Sequence, residues 1–246
     1  MKFFITGGSR GVGADLVKVA ALAGHDVAFT YSQRADKANE VVASLRGVAG
    51  AGKVLAYALD VKNPEAVERV GDQVLTDFDT VDVVVNSAAV NKIGMAFSMS
   101  NEDWREVIDA NLNGAFWVTR QFLPTFLSQG RGRFIHLSSV AAGGSSGHIA
   151  YCASKAGLHG LSKALGKEYG RKGITSNVLI LGTFDTDMTR EQMSPQLKDF
   201  WLQHCPVGRF GQLSEVAAAV LYLASDGAGF VNCQELSITG GLDWTA

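Results

Sequence analysis

The chain has 246 residues, of which 47% are hydrophobic and 19% charged, and its net charge is −2. A chain of this length can bury a substantial core, and the near-neutral charge argues against a nucleic-acid partner. The first apolar stretch, MKFFITGG, reaches glycine too early for a signal peptide, and the run VAAAVLYLA is far shorter than the roughly 20 residues of a membrane span. We therefore expect one domain over residues 1–246, with no membrane or nucleic-acid partner.

The three cysteines, Cys152, Cys205 and Cys233, are isolated from one another, and the sequence contains no CxxC pair. This pattern is typical of a reducing compartment and favours neither a disulfide framework nor a metal site. We expect a cytoplasmic protein without a bound metal.

Seven short runs rich in β-branched and aromatic residues are predicted to be strands. They cover residues 2–6, 26–31, 53–59, 81–86, 133–138, 175–180 and 235–239. Several are almost wholly apolar, as expected of strands buried on both faces, and amphipathic helical stretches separate them. This alternation predicts an α/β fold with one doubly wound parallel sheet. Ligands of such folds bind beyond the carboxyl ends of the strands.

The first predicted strand is followed directly by TGGSRGVG, residues 6–13. Glycines in this pattern allow a tight turn, close approach of a phosphate to the backbone, and close packing of the next helix on the strand. The amino end of that helix supplies amide donors and a partial positive charge. The order of strand, loop and helix predicts a dinucleotide site. Its predicted residues are Gly7, Ser9, Arg10, Gly11, Val12 and Gly13.

The end of the second strand indicates which dinucleotide binds. An acidic residue there would bind the ribose hydroxyls of NAD, but the sequence reads TYSQRADK. Arg10 and Arg34 instead suit a 2′-phosphate, with Tyr31 and Ser32 beside them. The alternative is that both arginines are solvated surface charges. We favour NADP(H).

Two further strand ends carry candidate cofactor contacts. Asp60 and Val61 follow the third strand, where a carboxylate can accept a hydrogen bond from the adenine amino group. Asn86, Ser87 and Ala88 begin NSAA after the fourth strand, and their small size lets a cofactor pass close to the backbone. A helix-capping aspartate and a turn asparagine are the alternative interpretations.

The stretch YCASKAGLHGLSKAL, residues 151–165, is predicted to be a helix that carries Tyr151 and Lys155 on one face. A free phenol has a pKa of about 10, and a neighbouring ammonium favours its ionised form. Lowering that pKa by about 3 units takes roughly 4 kcal/mol of differential stabilisation. The pair suits a general acid that gives a proton to a carbonyl oxygen while hydride reaches the carbon.

Six motifs in order, TGGSRGVG, NSAA, NLNG, LSS, YCASK and GTFDTDM, resemble those of the classical short-chain dehydrogenases/reductases over essentially the whole chain. The resemblance implies a single-domain Rossmann fold with sheet order 3-2-1-4-5-6-7 and an NADP(H)-dependent ketoreductase. It implies that Tyr151 is the acid/base and that Lys155 binds the nicotinamide ribose and lowers the pKa of the tyrosine. It also implies that Asn111 supports a proton relay and that a serine after the fifth strand binds the substrate oxygen.

The identity of that serine depends on how the chain is aligned. The spacing usual in the family, thirteen positions before the tyrosine, indicates Ser138, whereas alignment along RFIHLSSV indicates Ser139. We choose Ser139, with a one-residue deletion in the glycine-rich loop. Ser138 is then expected to bond backbone at the strand end.

The chain departs from the family pattern at two motifs. NNAG reads NSAA here, and the proline after the sixth strand is replaced by Leu181. By resemblance, Gly182 and Thr183 are expected to line the nicotinamide, and Thr186 to contact the diphosphate or the amide. Residues 187–209 are expected to form a helical lid over the substrate.

The tail PVGRFGQLSEVAAAVLYLASD resembles that of 3-oxoacyl-acyl carrier protein reductases. The resemblance implies an acyl-carrier-protein-linked ketone of fatty acid or polyketide synthesis, and a homotetramer. The alternatives are an alcohol dehydrogenase of the same family acting on a small free ketone, and a non-catalytic nucleotide sensor.

Two sets of side chains are candidates for contacts with protein partners. Basic turn residues are candidates for a carrier-protein rim at the mouth of the site, with plain solvated turns as the equal alternative. Aromatic residues of the helices at 101–128 are candidates for a subunit interface, with a buried core as the equal alternative. The basic set is Arg131, Arg133, Arg171 and Lys172, and the aromatic set is Trp104, Phe116, Trp117, Phe122 and Phe126.

Overall fold

The computed structural model describes residues 1–186, 189 and 193–242. Its strands form one parallel sheet in the order β3-β2-β1-β4-β5-β6-β7. The strands are β1 (Lys2–Ile5), β2 (Asp26–Tyr31), β3 (Val54–Ala58), β4 (Val83–Asn86), β5 (Gly132–Ser139), β6 (Ile174–Leu181) and β7 (Glu235–Ile238). The predicted fold class and strand order are confirmed. The runs predicted from their apolar, β-branched character are the strands of this sheet.

Helices cover both faces of the sheet and connect the strands. They are α1 (Gly11–Leu22), α2 (Ala35–Leu45), α3 (Pro64–Phe78), α4 (Asn101–Ile108), α5 (Gly114–Gln129), α6 (Ile149–Tyr169), α7 (Pro195–His204) and α8 (Leu213–Ala224). A π-helical segment, Asp109–Asn113, joins α4 to α5. Polar caps fix several helix starts: the Asn63 side chain accepts from the amide of Ala66 at 2.8 Å, and Pro64 opens α3.

One hydrophobic core lies on each face of the sheet. The first packs α1, α2 and α8 on the strands, and the second packs α3 and α5. In the second, Phe122 contacts Phe4 with ring centroids 4.6 Å apart, and Phe126 contacts Phe134 at 4.7 Å. Each fully buried phenylalanine contributes on the order of 2–3 kcal/mol of transfer free energy. The core interpretation therefore holds for Phe122 and Phe126, and the interface expectation is wrong for them.

The basic residues predicted to rim the site lie at the wrong edge of the sheet. Arg133 is the second residue of β5, at the amino edge, where it is 6% exposed and donates to the Gly132 carbonyl at 3.0 Å. Arg131 pairs with Asp226 at 2.9 Å. Arg171 and Lys172 lie just before β6, also at this edge. In one chain these residues therefore lie away from the active-site mouth expected for them, because the sites of parallel sheets form at the carboxyl edge.

The carboxyl ends of β1, β4 and β5 meet the amino ends of α1 and α6 at one edge of the sheet.

Among the described residues, no helix is long and apolar enough to span a bilayer. In the same ranges, no three His, Cys, Asp or Glu side chains are grouped as metal ligands would be.

Candidate active site

The glycine loop packs against the end of β4, and its glycines are required by that contact. Gly7 has φ +68°, and a Cβ there would lie 2.9 Å from the Cα of Ala88. A Cβ at Gly13 would clash with the carbonyl oxygen of Gly7. The loop is also held to β2, since the Gly8 amide donates to the Thr30 carbonyl at 2.8 Å. The βα turn is therefore tight and fixed in place, as a phosphate site needs.

The amino end of α1 has the chemistry of an anion site. Its N-cap residue, Arg10, makes no capping hydrogen bond through its side chain, and the first turn contains no acidic residue. The first amides of a helix have no intrahelical acceptor and carry part of the positive end of the helix dipole. Thr186 lies beside this turn, with its Cγ2 3.8 Å from where a Cβ of Gly11 would stand. These groups fit the diphosphate of a dinucleotide.

The adenosine end of the site holds an ion pair that the sequence interpretation did not include. Arg34 makes two contacts with Asp36, Nε to Oδ1 at 2.9 Å and Nη2 to Oδ2 at 2.6 Å. This contact holds the pKa of the Asp36 carboxyl well below its usual range. Tyr31 is half-buried, whereas Arg10, Ser32 and Arg34 are exposed. Solvent screens this exposed ion pair, so a phosphate dianion can displace Asp36 from the guanidinium.

The loops after β3 and β4 differ in what they present. The Asp60 carboxylate accepts from the Lys62 amide at 3.1 Å, so the chain alone uses it in a local turn. The amides of Ser87 and Ala88 each donate to Thr6 Oγ1 at 3.0 Å, which ties the end of β4 to the end of β1. Val61 is buried against Gly114 and lines the core beneath this edge.

Asn86 faces the interior and not the loop. Its side chain is buried, and Nδ2 lies 3.3 Å from Thr119 Oγ1 and 3.2 Å from His136 Nδ1. Its Nδ2 therefore has interior partners, whereas Oδ1 has no hydrogen-bond partner among the described residues. His136 is not predicted from the sequence as a residue at the carboxyl edge of the sheet. Burial lowers the pKa of His136 to about 4, so its ring is neutral near pH 7.

The two serines that end β5 face opposite ways, as successive strand residues must. Ser139 is hydrogen-bonded to the Tyr151 hydroxyl. Ser138 is 3% exposed, and its hydroxyl donates to the Lys155 carbonyl at 3.2 Å. This geometry supports Ser139 as the serine beside the tyrosine, and Ser138 bonds backbone as expected.

Tyr151 and Lys155 lie one helical turn apart on α6, with the ammonium 5.5 Å from the centre of the phenol ring. Lys155 is 4% exposed and donates to the Leu137 carbonyl at 2.7 Å. Burial lowers the pKa of Lys155 to about 8. Burial also raises the pKa of Tyr151 to about 12, against the opposing hydrogen bond from Ser139.

The expected lowering of the tyrosine pKa is therefore wrong for the chain by itself. Removal of the phenol from water outweighs the hydrogen bond from Ser139, and the Lys155 ammonium is itself buried and donates to a backbone carbonyl. A phenol that keeps its proton at neutral pH is still a suitable donor for reducing a carbonyl.

Asn111 lies in the π-helical segment and joins three parts of the site. Its Oδ1 accepts from the Val90 amide at 2.8 Å, and its Nδ2 donates to Ser154 Oγ at 3.0 Å. Ser154 in turn donates to the Tyr151 carbonyl at 2.8 Å. Asn111 thus fixes the first turn of α6 against the loop after β4, and a π-segment at such a place is a common feature of functional sites.

The segment after β6 passes along the same edge. The Gly182 amide donates to the Ile238 carbonyl at 2.9 Å, and the Thr183 carbonyl accepts from Gly211 at 3.0 Å. Of the expected lid, residues 187, 188 and 190–192 lie outside the described residues. The described part contains α7, whose Trp201 is 9% exposed.

Two features at one edge of the sheet define the class of this protein. A diphosphate site lies at the first βα turn, and a hydrogen-bonded tyrosine, with a serine and a buried lysine, lies two strands away. This combination defines a nicotinamide-dependent oxidoreductase that moves a proton at a tyrosine.

Comparison with known proteins identifies the family. The family model described as "Enoyl-(Acyl carrier protein) reductase" matches residues 7–243. The "3-oxoacyl-[acyl-carrier-protein] reductase FabG" of Staphylococcus epidermidis is 36% identical over 239 residues, 97% of each chain. The protein of the same name from Chlamydia trachomatis is 36% identical, over 97% of this chain and 95% of its own. The one from Haemophilus influenzae is 34% identical, over 97% of this chain and 96% of its own. The chain belongs to the short-chain dehydrogenase/reductase family, and it is an NADP(H)-dependent oxidoreductase that acts on a ketone.

Proposed function

We propose that the protein reduces the 3-oxo group of an acyl chain carried as a thioester on acyl carrier protein, with NADPH as reductant. The observation that carries the proposal is the hydrogen-bonded pair of Ser139 and Tyr151, two hydroxyls that converge where a carbonyl oxygen can bind. The relatives named above, all 3-oxoacyl-[acyl-carrier-protein] reductases, support this class of substrate. The family model is described as an enoyl reductase, but two converging donors suit a carbonyl oxygen better than a carbon–carbon double bond.

The proposed reaction breaks the carbonyl π bond and forms one C–H and one O–H bond. Bound reduced nicotinamide supplies the hydride, with its two electrons, to the carbonyl carbon. Ser139 donates a hydrogen bond to the oxygen as negative charge develops there. Tyr151 passes its phenolic proton to that oxygen, and the Lys155 ammonium stabilises the phenolate that remains.

The further expectations belong to the same proposal. Residues 1–246 form one domain with a lid at about 187–209, which is consistent with a single sheet in the described part. Trp104 and Phe116 are 38% and 40% exposed, and they support the proposed homotetramer as interface residues. The free cysteines support a cytoplasmic location.

The test of the substrate class is NADPH oxidation on matched substrates. Acetoacetyl-acyl carrier protein is expected to give the highest kcat/KM, followed by acetoacetyl-coenzyme A and then by small free ketones and cyclic diketones. A crotonyl thioester is the matched substrate for double-bond reduction and should not be turned over. Faster reduction of a free ketone than of either thioester would contradict the proposal, as would turnover of the crotonyl thioester alone.

We expect the Ser139→Ala variant to lower kcat about a hundredfold, because loss of one oxyanion-type donor has that effect. Ser138→Ala is the matched control and should lower kcat about tenfold or less, since its hydroxyl bonds the Lys155 carbonyl and not the tyrosine. Steady-state kinetics on one ketone compares the two. The reverse ranking would show that Ser138 binds the substrate oxygen.

We expect NADPH to bind about a hundredfold more tightly than NADH, a difference of a few kcal/mol from arginine contacts with the 2′-phosphate. Arg34→Ala should remove most of this preference. Asp36→Asn should strengthen NADPH binding, because it removes the carboxylate that competes with the 2′-phosphate for the guanidinium at 2.6 Å. Fluorescence titration measures all four dissociation constants, and NADH binding equal to or tighter than NADPH would contradict the assignment.

A further inference from the structure

A second polar chain lies behind the tyrosine and the lysine, on the far side of Ser138. Ser138 Oγ lies 2.8 Å from Nε2 of His159, and Nδ1 of the same ring lies 3.1 Å from Glu235 Oε2. The other Glu235 oxygen lies 2.5 Å from Lys163 Nζ. The chain of contacts therefore runs from the buried end of β5, across α6, to the first residue of β7.

This chain is attached to the backbone of the lysine at the active site. Tyr151, Lys155, His159 and Lys163 are spaced four residues apart and so follow one face of α6. Ser138 bridges two turns of that face, because its hydroxyl reaches both the His159 ring and, at 3.2 Å, the Lys155 carbonyl. A change at His159 therefore acts on the peptide that carries the lysine.

The protonation state of His159 determines what the Ser138 hydroxyl can do. With a proton on each ring nitrogen, Nδ1 donates to Glu235 and Nε2 donates to Ser138, so the serine proton is available to the Lys155 carbonyl. With a neutral ring that still donates to Glu235, Nε2 is an acceptor and competes for the same serine proton. In either state the ring holds the Ser138 hydroxyl, which also reaches the Lys155 carbonyl.

Polar and charged groups surround the ring. The described groups that face it are Ser138 from β5, Glu235 from β7, and Lys155 and Lys163 from α6 itself. The ammonium of Lys163, and after it the charge and hydrogen bond of His159, hold the pKa of the Glu235 carboxyl below its usual range. The carboxylate lies 3.1 Å from Nδ1, accepts from it and so fixes the orientation of the ring.

A serine, a histidine and a carboxylate in this order also form the nucleophilic triad of many hydrolases. That role does not fit here. Ser138 is 3% exposed, so an acyl group has no access to it, and its proton is already shared with the Lys155 carbonyl. The chain can hold a structure in place but cannot attack a substrate.

We propose that His159 and Glu235 are positioning residues for Lys155. The carboxylate orients the imidazole ring, and the ring holds the Ser138 hydroxyl beside the lysine carbonyl and so fixes the turn of α6 that presents the ammonium to the cofactor. The proposal rests on the function proposed above only through the role of Lys155.

The experiment compares His159→Ala, His159→Gln and Glu235→Gln. Glutamine can still form a hydrogen bond with the Ser138 hydroxyl, so it should rescue what alanine loses. His159→Ala is expected to weaken NADPH binding and lower kcat about tenfold, the scale of a small misplacement at a site. His159→Gln should stay within about twofold of the wild type. The control is His25→Gln, at the amino edge of the sheet, whose ring stacks on Phe3.

Glu235→Gln supplies the second readout. It should weaken NADPH binding, but less than His159→Ala does, because the ring remains and loses only the carboxylate that orients it. If His159→Ala fails to fold, His159→Gln and Glu235→Gln still decide the matter.

A His159→Gln variant as impaired as the alanine one would overturn the proposal, as would unchanged NADPH affinity in Glu235→Gln. Because NADPH binding needs no ketone, these results stand even if the wild type reduces none of the proposed substrates. The positioning role alone would be overturned by a different result. In that result the wild type reduces an acetoacetyl thioester, and all three variants keep its NADPH affinity and its kcat.

Discussion

Replacing Tyr151 by phenylalanine is expected to lower turnover about a thousandfold while leaving NADPH binding nearly intact. A positioned general acid contributes about 10²–10⁴ in rate, and phenylalanine removes only the proton donor while keeping the aromatic ring. Because burial raises the pKa of Tyr151 to about 12, the phenol keeps its proton throughout the neutral range and serves reduction directly. Steady-state kinetics and NADPH titration measure the two effects.

The control for this variant is Tyr169→Phe, at the last residue of the same helix. It should leave both kcat and NADPH binding unchanged. A Tyr151→Phe protein that reduced its ketone at a near-normal rate would remove the acid role, and the tyrosine would then be a packing residue beside a buried lysine.

Replacing Lys155 by methionine is expected to abolish NADPH binding and turnover but to raise the stability of the protein without cofactor. Burial lowers the pKa of this lysine from 10.5 to about 8, so folding at neutral pH carries the cost of a buried charge. At 1.36 kcal/mol per pKa unit this cost is about 3 kcal/mol, and loss of the hydrogen bond to the Leu137 carbonyl offsets about 1 kcal/mol of it. The variant should therefore gain about 2 kcal/mol in free energy of unfolding.

The sign of the pH dependence follows from the same shift. The folded pKa lies below the unfolded one, so between the two values the unfolded chain binds the extra proton. Wild-type stability should rise relative to the variant from about pH 8 to about pH 10.5, and the advantage of methionine should shrink over that range. Denaturant unfolding at neutral and alkaline pH measures this. A variant less stable than the wild type at neutral pH would show that the lysine stabilises the fold.

The elements of the sheet could be predicted because their signals are local. Buried parallel strands need continuous apolar, β-branched runs, and the glycine loop needs residues without Cβ where Gly7 meets Ala88. The side of the strand on which a serine lies is also local, since residues alternate. That is why alignment along β5 selected Ser139 for the contact with Tyr151, while counting residues through a variable loop selected Ser138.

The features that could not be predicted depend on which residue a side chain contacts in the folded structure. Arg34 was assigned to a phosphate, but Asp36 holds its guanidinium in the chain alone. Arg133 lies in a turn-like GRGR sequence, yet it is buried at the amino edge of β5. His159 carried a usable signal, one helical turn beyond Lys155, but its partner Glu235 lies on a strand far along the chain.

The most direct test of the central claim follows the hydride itself. The purified protein is given acetoacetyl-acyl carrier protein and NADPH that carries deuterium at the transferable position of the nicotinamide. We expect a 3-hydroxybutyryl product with one deuterium at C3, in a one-to-one ratio with NADPH oxidised, and almost none from the Tyr151→Phe protein. Oxidation of NADPH without label in the product, or an unreduced thioester beside active reduction of a free ketone, would contradict the account.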